Sequence, residues 1–228
     1  TKRCSTDSTP ERYGRLTGSW PQEGVCPTRN STGDVAAAGE VSTPAPALSV
    51  LDLVPVRSDQ STGDALVATR GLARVADELG FRRYWLAGHP HTPALAAAHP
   101  PPPAAMVAAA TEQIRVGSGG VMLPNHAPLV VAEQFALLEA ASPGRIDLGI
   151  GRAPGTDQVT AWALRHGGGG VEDDAVARFP EAVANIIAML SPEGVGLRLA
   201  SGTHVLRATP RATSVPEVWL LGSSDYSA

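Results

Sequence analysis

The sequence predicts a parallel α/β fold on three observations. Short apolar runs alternate with stretches of helical periodicity, the strand candidates are apolar enough to be covered on both faces, and glycine-rich turns follow several of them. Leu48–Leu53, bounded by Pro46 and Pro55, is the first strand. Ser61 to Leu79 then carries Leu66, Val67, Leu72, Ala73, Ala76 and Leu79 near helical spacing, with Ser61 or Thr62 as N-cap, Asp64 in the first turn and Gly80 closing the C-terminus. Arg83–Ala87 is the second strand, and Ala104–Ala110 a short helix after a proline-rich stretch. Ile114–Leu123 is the third strand, and Pro128–Ala141 a helix with proline in its first turn and Pro143-Gly144 beyond its end. Arg145–Gly151 is the fourth strand, Thr156–Arg165 and Pro180–Leu190 are helices, and Val218–Leu221 is the fifth strand.

An open doubly wound sheet and a (β/α)8 barrel both fit this alternation. The part from Leu48 onward, roughly 180 residues, is short of the ~250 that a closed barrel takes, so length alone favours the open sheet. Residues 1–47 are rich in Ser, Thr, Pro and Gly without apolar periodicity, and read as an irregular, disordered leader ending in the linker Ser42–Ala47. Because the chain starts at Thr1 and reaches only five strands, it is expected to be a piece of a longer product.

Composition excludes several function classes. A net charge of −4 and a pI near 5.8 argue against a cationic face for nucleic acid or an anionic membrane. Lys2 is the only lysine, so Schiff-base and Walker-type phosphate chemistry lack their central amine. Cys4 and Cys26 lie in the leader without metal-ligand spacing; a disulfide between them is the minority expectation. No apolar run reaches the ~20 residues that span a bilayer, and the cytoplasm is the expected location.

Four motifs carry chemistry. Gly117-Ser118-Gly119-Gly120 interrupts an apolar strand, which marks either a bulge or close approach of a ligand. Gly149-Ile150-Gly151-Arg152-Ala153-Pro154-Gly155 joins a strand to a helix, where glycines admit a phosphate and Arg152 suits an anion; the bland alternative is a surface Arg152–Asp157 pair. The run departs from the dinucleotide fingerprint in glycine spacing and in its place on the fourth strand, which leaves a nicotinamide-binding domain as a third reading. Gly222-Ser223-Ser224 offers amides and hydroxyls at another strand end. His89 and His91 follow the second strand, but Pro90 between them and the lack of a nearby carboxylate speak against a metal site. The runs His99–Pro103 and Gly167–Gly170 read as loops without chemistry.

Ile114–Leu129, Glu133–Phe135, Pro143–Asp157 and Trp219–Ser224 together resemble, in order and spacing, the bacterial luciferase-like flavin-dependent monooxygenase family. The resemblance covers 48–228 and leaves the leader unexplained. It implies a (β/α)8 barrel, incomplete here, that binds FMN at the carboxyl ends of its strands. A non-proline cis peptide would fall at Gly119–Gly120 behind the isoalloxazine ring. Arg152 would approach the flavin phosphate with Gly222, Ser223 and Ser224. Reduced FMN, or as second choice a reduced deazaflavin, would act with O2 on a small organic substrate. The electrons would come from a flavin reductase or from NAD(P)H, and a homodimer is the family expectation. Two departures stand out. The family reads Ala-Glu-His-His where this chain has Ala87-Gly88-His89-Pro90, leaving His89 as the acid–base candidate, and the chain ends at the fifth strand. The alternative is an inactive truncated remnant that binds or self-associates through its open edge.

Overall fold

The structure, a computed structural model, describes residues 46–153, 155, 157–164 and 176–222. Residues 1–45 of the proposed leader, with Cys4 and Cys26, the run Gly167–Gly170, and Ser223 and Ser224 lie outside the described residues. In chain order the elements are β1 (Ser49–Asp52), α1 (Thr62–Glu78), β2 (Arg83–Leu86), α2 (Pro101–Ala108), β3 (Arg115–Ser118), β4 (Val121–Met122), α3 (Pro128–Ala141), β5 (Ile146–Gly151), α4 (Gln158–Leu164), α5 (Phe179–Leu190), β6 (Val195–Leu199), β7 (Gly202–Leu206) and β8 (Glu217–Leu221).

The ends of α1 are written in its sequence. The Ser61 hydroxyl accepts from the Asp64 amide while the Asp64 carboxylate accepts from the Ser61 amide, satisfying two otherwise orphaned donors. At the other end Gly80 takes φ 73°, its N–H bonds Asp77 and the Phe81 N–H reaches back to Ala76, a left-handed stop that glycine allows. The run Pro101–Pro103, read as loop, is instead the first turn of α2. Three prolines fit there because the first intrahelical donor needed is Ala104 N–H, which bonds Pro100 O at 3.0 Å.

Strand order decides the architecture. β1, β2, β3, β5 and β8 are joined in parallel, each beside its predecessor among the long parallel strands, so β1 lies at an edge. A doubly wound sheet reverses its order around an interior first strand, and this sheet does not. The open-sheet alternative is therefore corrected in favour of a (β/α)8-type barrel, incomplete and not closed.

Curvature confirms it. Flat strands ~4.8 Å apart would hold β2 and β8, with β3 and β5 between them, about 14 Å from each other. Yet the rings of Trp85 and Trp219 meet edge to face at 5.8 Å, and Arg83 Nη2 reaches Glu217 Oε2 at 2.9 Å. On the convex side Tyr84, Leu86, Val116, Ile146, Leu148 and Ile150 are fully buried beneath α1, α2, α3 and α5. On the concave side Leu51 and Trp219 remain 60% and 41% exposed.

The antiparallel hairpin β6–β7 has no counterpart among the expected elements. Its residues alternate weakly, with Gly196 and Arg198 outward, and Val195 and Leu206 alone pack back onto the core.

Candidate functional site

The third strand does not run straight. Val116 and Gly117 face Ile146 and Asp147, whereas Val121 and Met122 face Ile150 and Gly151, so Ser118–Gly120 oppose only Leu148 and Gly149. This is a bulge, and it splits the predicted strand Ile114–Leu123 into β3 and β4. The buried Ser118 hydroxyl fills the lost rung: it donates to Gly149 O at 2.8 Å and accepts from Gly149 N–H at 3.0 Å. A Cβ on Gly149 would stand 2.0 Å from Ser118 O, and one on Gly120 would stand 2.8 Å from Gly149 O and 2.7 Å from Leu221 Cδ1. Both positions therefore require glycine. The Gly119–Gly120 peptide is cis, at the place the resemblance implied.

Beside the bulge, at the carboxyl ends of the strands, lies a cavity of about 430 Å³ lined by Ala87, Gly88, His89, Gly119, Gly120, Met122, Gly151, Arg152, Ala153, Leu221 and Gly222. Every predicted site residue that the structure describes is on this wall, including His89, Gly119, Gly120, Arg152 and Gly222. Its volume lies within the range of cofactor pockets, and its lining is apolar with a few convergent polar groups. Asp157 does not neutralise Arg152. It accepts from Thr160 and pairs with His91, and the Thr160 hydroxyl above all holds its carboxyl down to about 2.

Gly88 has a structural reason. A Cβ there would meet Ala97 O at 2.4 Å, because the loop after β2 folds back, donates Ala96 N–H to Val54 O and receives His89 N–H on Ala97 O. The proline- and alanine-rich segment thus occupies the space that a side chain at position 88 would need. Among the described residues no group of three His, Cys, Asp or Glu is placed to share a metal ion. No helix among them is long and apolar enough to cross a membrane.

At the opposite end of the strands sits a cluster that sequence reasoning missed. The fully buried Asp147 carboxylate receives Arg83 Nε at 3.0 Å and Arg115 Nη2 at 2.6 Å, and both guanidinium groups also reach Glu217. Arg83 lies over the Trp219 ring at 4.6 Å. Gly117 makes room for the Trp85 indole, since its Cβ would lie 2.7 Å from Trp85 Cζ3. Asp52 was missed too: it is buried and accepts from Val54 N–H, the Thr69 hydroxyl and the Tyr84 hydroxyl, and burial followed by Asp52 pushes the Tyr84 phenol up. One-dimensional pattern offers no signal for either cluster beyond charged residues inside apolar strands.

A parallel, curled sheet with a glycine-walled cavity at its carboxyl end and a charged floor at its amino end defines a domain of the (β/α) barrel type. The sequence model of the luciferase-like monooxygenase family matches residues 47–228, and the chain belongs to that family. A luciferase-like monooxygenase of Escherichia coli (strain K12) is 43% identical over 183 residues, which are 80% of this chain and 51% of that protein. The crystal structure of apo-MsnO8 is 37% identical with a TM-score of 0.69, over 79% of this chain and 51% of that one. The oxygenating constituent of 3,6-diketocamphane monooxygenase from Pseudomonas putida, a type II Baeyer–Villiger monooxygenase solved in complex with FMN, is 17% identical and shares the fold with a TM-score of 0.63, over 79% of this chain and 52% of that one. The chain spans about half the length of the curated relatives it matches.

Proposed function

We propose that this chain carries the flavin-binding side of an FMN-dependent monooxygenase, residues 48–228 being that domain, with a small organic molecule as substrate. The observation that carries the reading is the cavity wall itself. Gly119, Gly120 and Gly151 give one flank of the cavity no side chains, while Arg152 stands at the strand end. A planar ring fits a flank without Cβ atoms, and a guanidinium fits a phosphate. FMN is named with the fold neighbour from Pseudomonas putida and F420 with other neighbours of the same fold, so both agree with a flavin-type cofactor, and FMN is the form proposed here.

When bound, reduced flavin supplies the electrons with which O2 is activated for insertion into the substrate. The chain's own part is positioning and exclusion. Gly119 and Gly120 offer backbone to the ring, Arg152 and the turn at Gly222, with Ser223 and Ser224, take the phosphate, and Ala87, Met122, Ala153 and Leu221 keep water from the reacting face. His89 holds or moves a proton at its imidazole on the same wall. Reduced flavin is delivered by a separate reductase or regenerated by NAD(P)H.

A second reading rests on the sheet edges: β1 and β8 each pair on one side only among the described residues, beside the exposed Leu51 and Trp219. On that reading the chain is a remnant that binds or self-associates without turnover. Anaerobic titration of the 228-residue chain with reduced FMN, followed by O2 consumption, separates the two. Saturable flavin binding with O2 uptake at a rate distinct from that of free reduced FMN, which O2 oxidises unaided, supports the enzyme, binding with no change in that rate supports the remnant, and no binding up to millimolar flavin removes the flavin assignment.

A further inference from the structure

One link on the loop after β2 serves neither the core nor the cavity wall directly. His91 takes a left-handed backbone conformation, φ 57°, which is uncommon for a residue with a Cβ. Its Nδ1 lies 3.1 Å from the Thr160 hydroxyl oxygen. That hydroxyl already donates to Asp157 Oδ2 at 2.6 Å, so towards His91 it acts only as acceptor, and Nδ1 must carry the proton. Asp157 in turn accepts the Val159 and Thr160 amides through Oδ1 and pairs with the His91 ring at 3.8 Å. A side chain on the loop after β2 is thereby tied to the first turn of α4.

The tie adds little to overall stability, because the His91 and Asp157 side chains are largely exposed and solvent screens such pairs. Its location says more. His89, two residues earlier and separated from His91 only by Pro90, forms part of the cavity wall. Across the seam Gly155 abuts the same wall: a Cβ there would stand 3.8 Å from His89 Cδ2 and 2.5 Å from Met122 Cε. The loop carrying His89 and the segment leading into α4 therefore meet at a close joint, and His91–Thr160–Asp157 spans it.

We propose that His91 is a positioning residue, which through Thr160 and Asp157 fixes the His89 imidazole at the cavity wall. Its consequence for ligand binding rests on the flavin reading of that cavity, whereas the geometric claim does not. The test uses the full 228-residue chain labelled at histidine, with imidazole NMR of His89 and anaerobic titration with reduced FMN. His91→Ala and Thr160→Val should shift or broaden the His89 ring signal in the ligand-free chain and weaken flavin binding roughly ten-fold, the equivalent of one hydrogen bond. His91→Asn should restore both, since asparagine tolerates the left-handed region and carries an N–H donor. All variants should melt within about 2 °C of the parent.

An unchanged His89 signal in His91→Ala, or failure of His91→Asn to restore it, overturns the proposal. If the His89 signal responds as expected but the parent chain binds no flavin, the positioning role stands and the flavin assignment falls. If the parent binds flavin and His91→Ala binds it equally with an unmoved His89 signal, the flavin assignment stands and the positioning role falls.

Discussion

The two ends of the parallel strands are built from opposite materials. At the amino end, Arg83, Arg115, Asp147 and Glu217 fill the inside of the curled sheet with paired charge, capped by the two tryptophans. At the carboxyl end, glycines replace side chains, the ladder is broken by a bulge, and a cavity opens. One end is satisfied and closed, the other is emptied for something to enter. A barrel separates stability from function in this way because a strand's amino and carboxyl ends lie on opposite faces of the barrel, with the packed middle between them. Damage at one end should therefore read out as unfolding and damage at the other as lost ligand.

The strongest attempt to break that division is Asp147→Ala. It leaves the Arg83 and Arg115 guanidinium groups with only the half-exposed Glu217 carboxylate to share, and should cost about 3 kcal/mol in urea unfolding, the lower end for a broken buried pair. Weakened flavin binding at unchanged stability would show that the floor belongs to the site. Arg152→Ala is the counterpart at the other end. It should weaken reduced FMN by about 1.5–3 kcal/mol, the worth of a hydrogen bond to a charged group, in anaerobic titration while leaving the urea midpoint in place. A drop in stability would return Arg152 to an ordinary structural role.

Gly120→Ala sharpens the comparison because it touches both properties. The added methyl meets Gly149 O and Leu221 Cδ1, so overpacking of about 1–3 kcal/mol should appear together with loss of flavin affinity. Ligand loss alone would mean that Leu221 yields and the wall does not. The smallest effect is one of pH. Burial, and then the neighbouring His99 ring, hold the His126 pKa below the ordinary imidazole value. The unfolded chain then binds more protons than the folded one just below about pH 6.5, so stability should rise with pH through that window, be complete above it, and be lost on acidification through the folded value. His126→Gln should flatten that part of a denaturation-midpoint profile, and an unchanged slope would assign it to other groups.

What could be read in advance follows the same division. Caps and stops were legible, since Ser61, Asp64 and Gly80 act on backbone within a few residues of themselves. So was the glycine wall, because a glycine inside an apolar strand gives up packing and chain entropy, a loss that close approach of backbone or ligand offsets. The resemblance put the cis peptide on the right pair. The charged floor was not legible: Arg83, Arg115, Asp147 and Glu217 come from four strands, and their meeting is a product of curvature. Length alone pointed to an open sheet, and the side-by-side order of the strands overruled it. The proline run was misjudged because a helix start tolerates missing N–H groups where a helix interior does not. The hairpin β6–β7 was missed because its alternation buries only its ends.

The order of the strands has one more consequence, for how the sheet is assembled. Ser49 pairs with Arg83, Arg83 with Arg115, and Val116 with Ile146, so each rung joins a strand to the one made just before it. Such an order lets a sheet extend at one edge, one strand and its covering helix at a time, each step closing a crossover of about 30 residues or fewer. The exception is β8, which reaches β5 across α4, α5 and the hairpin. Among the described residues it is the addition with the largest closure entropy, and so the one expected to join the sheet last.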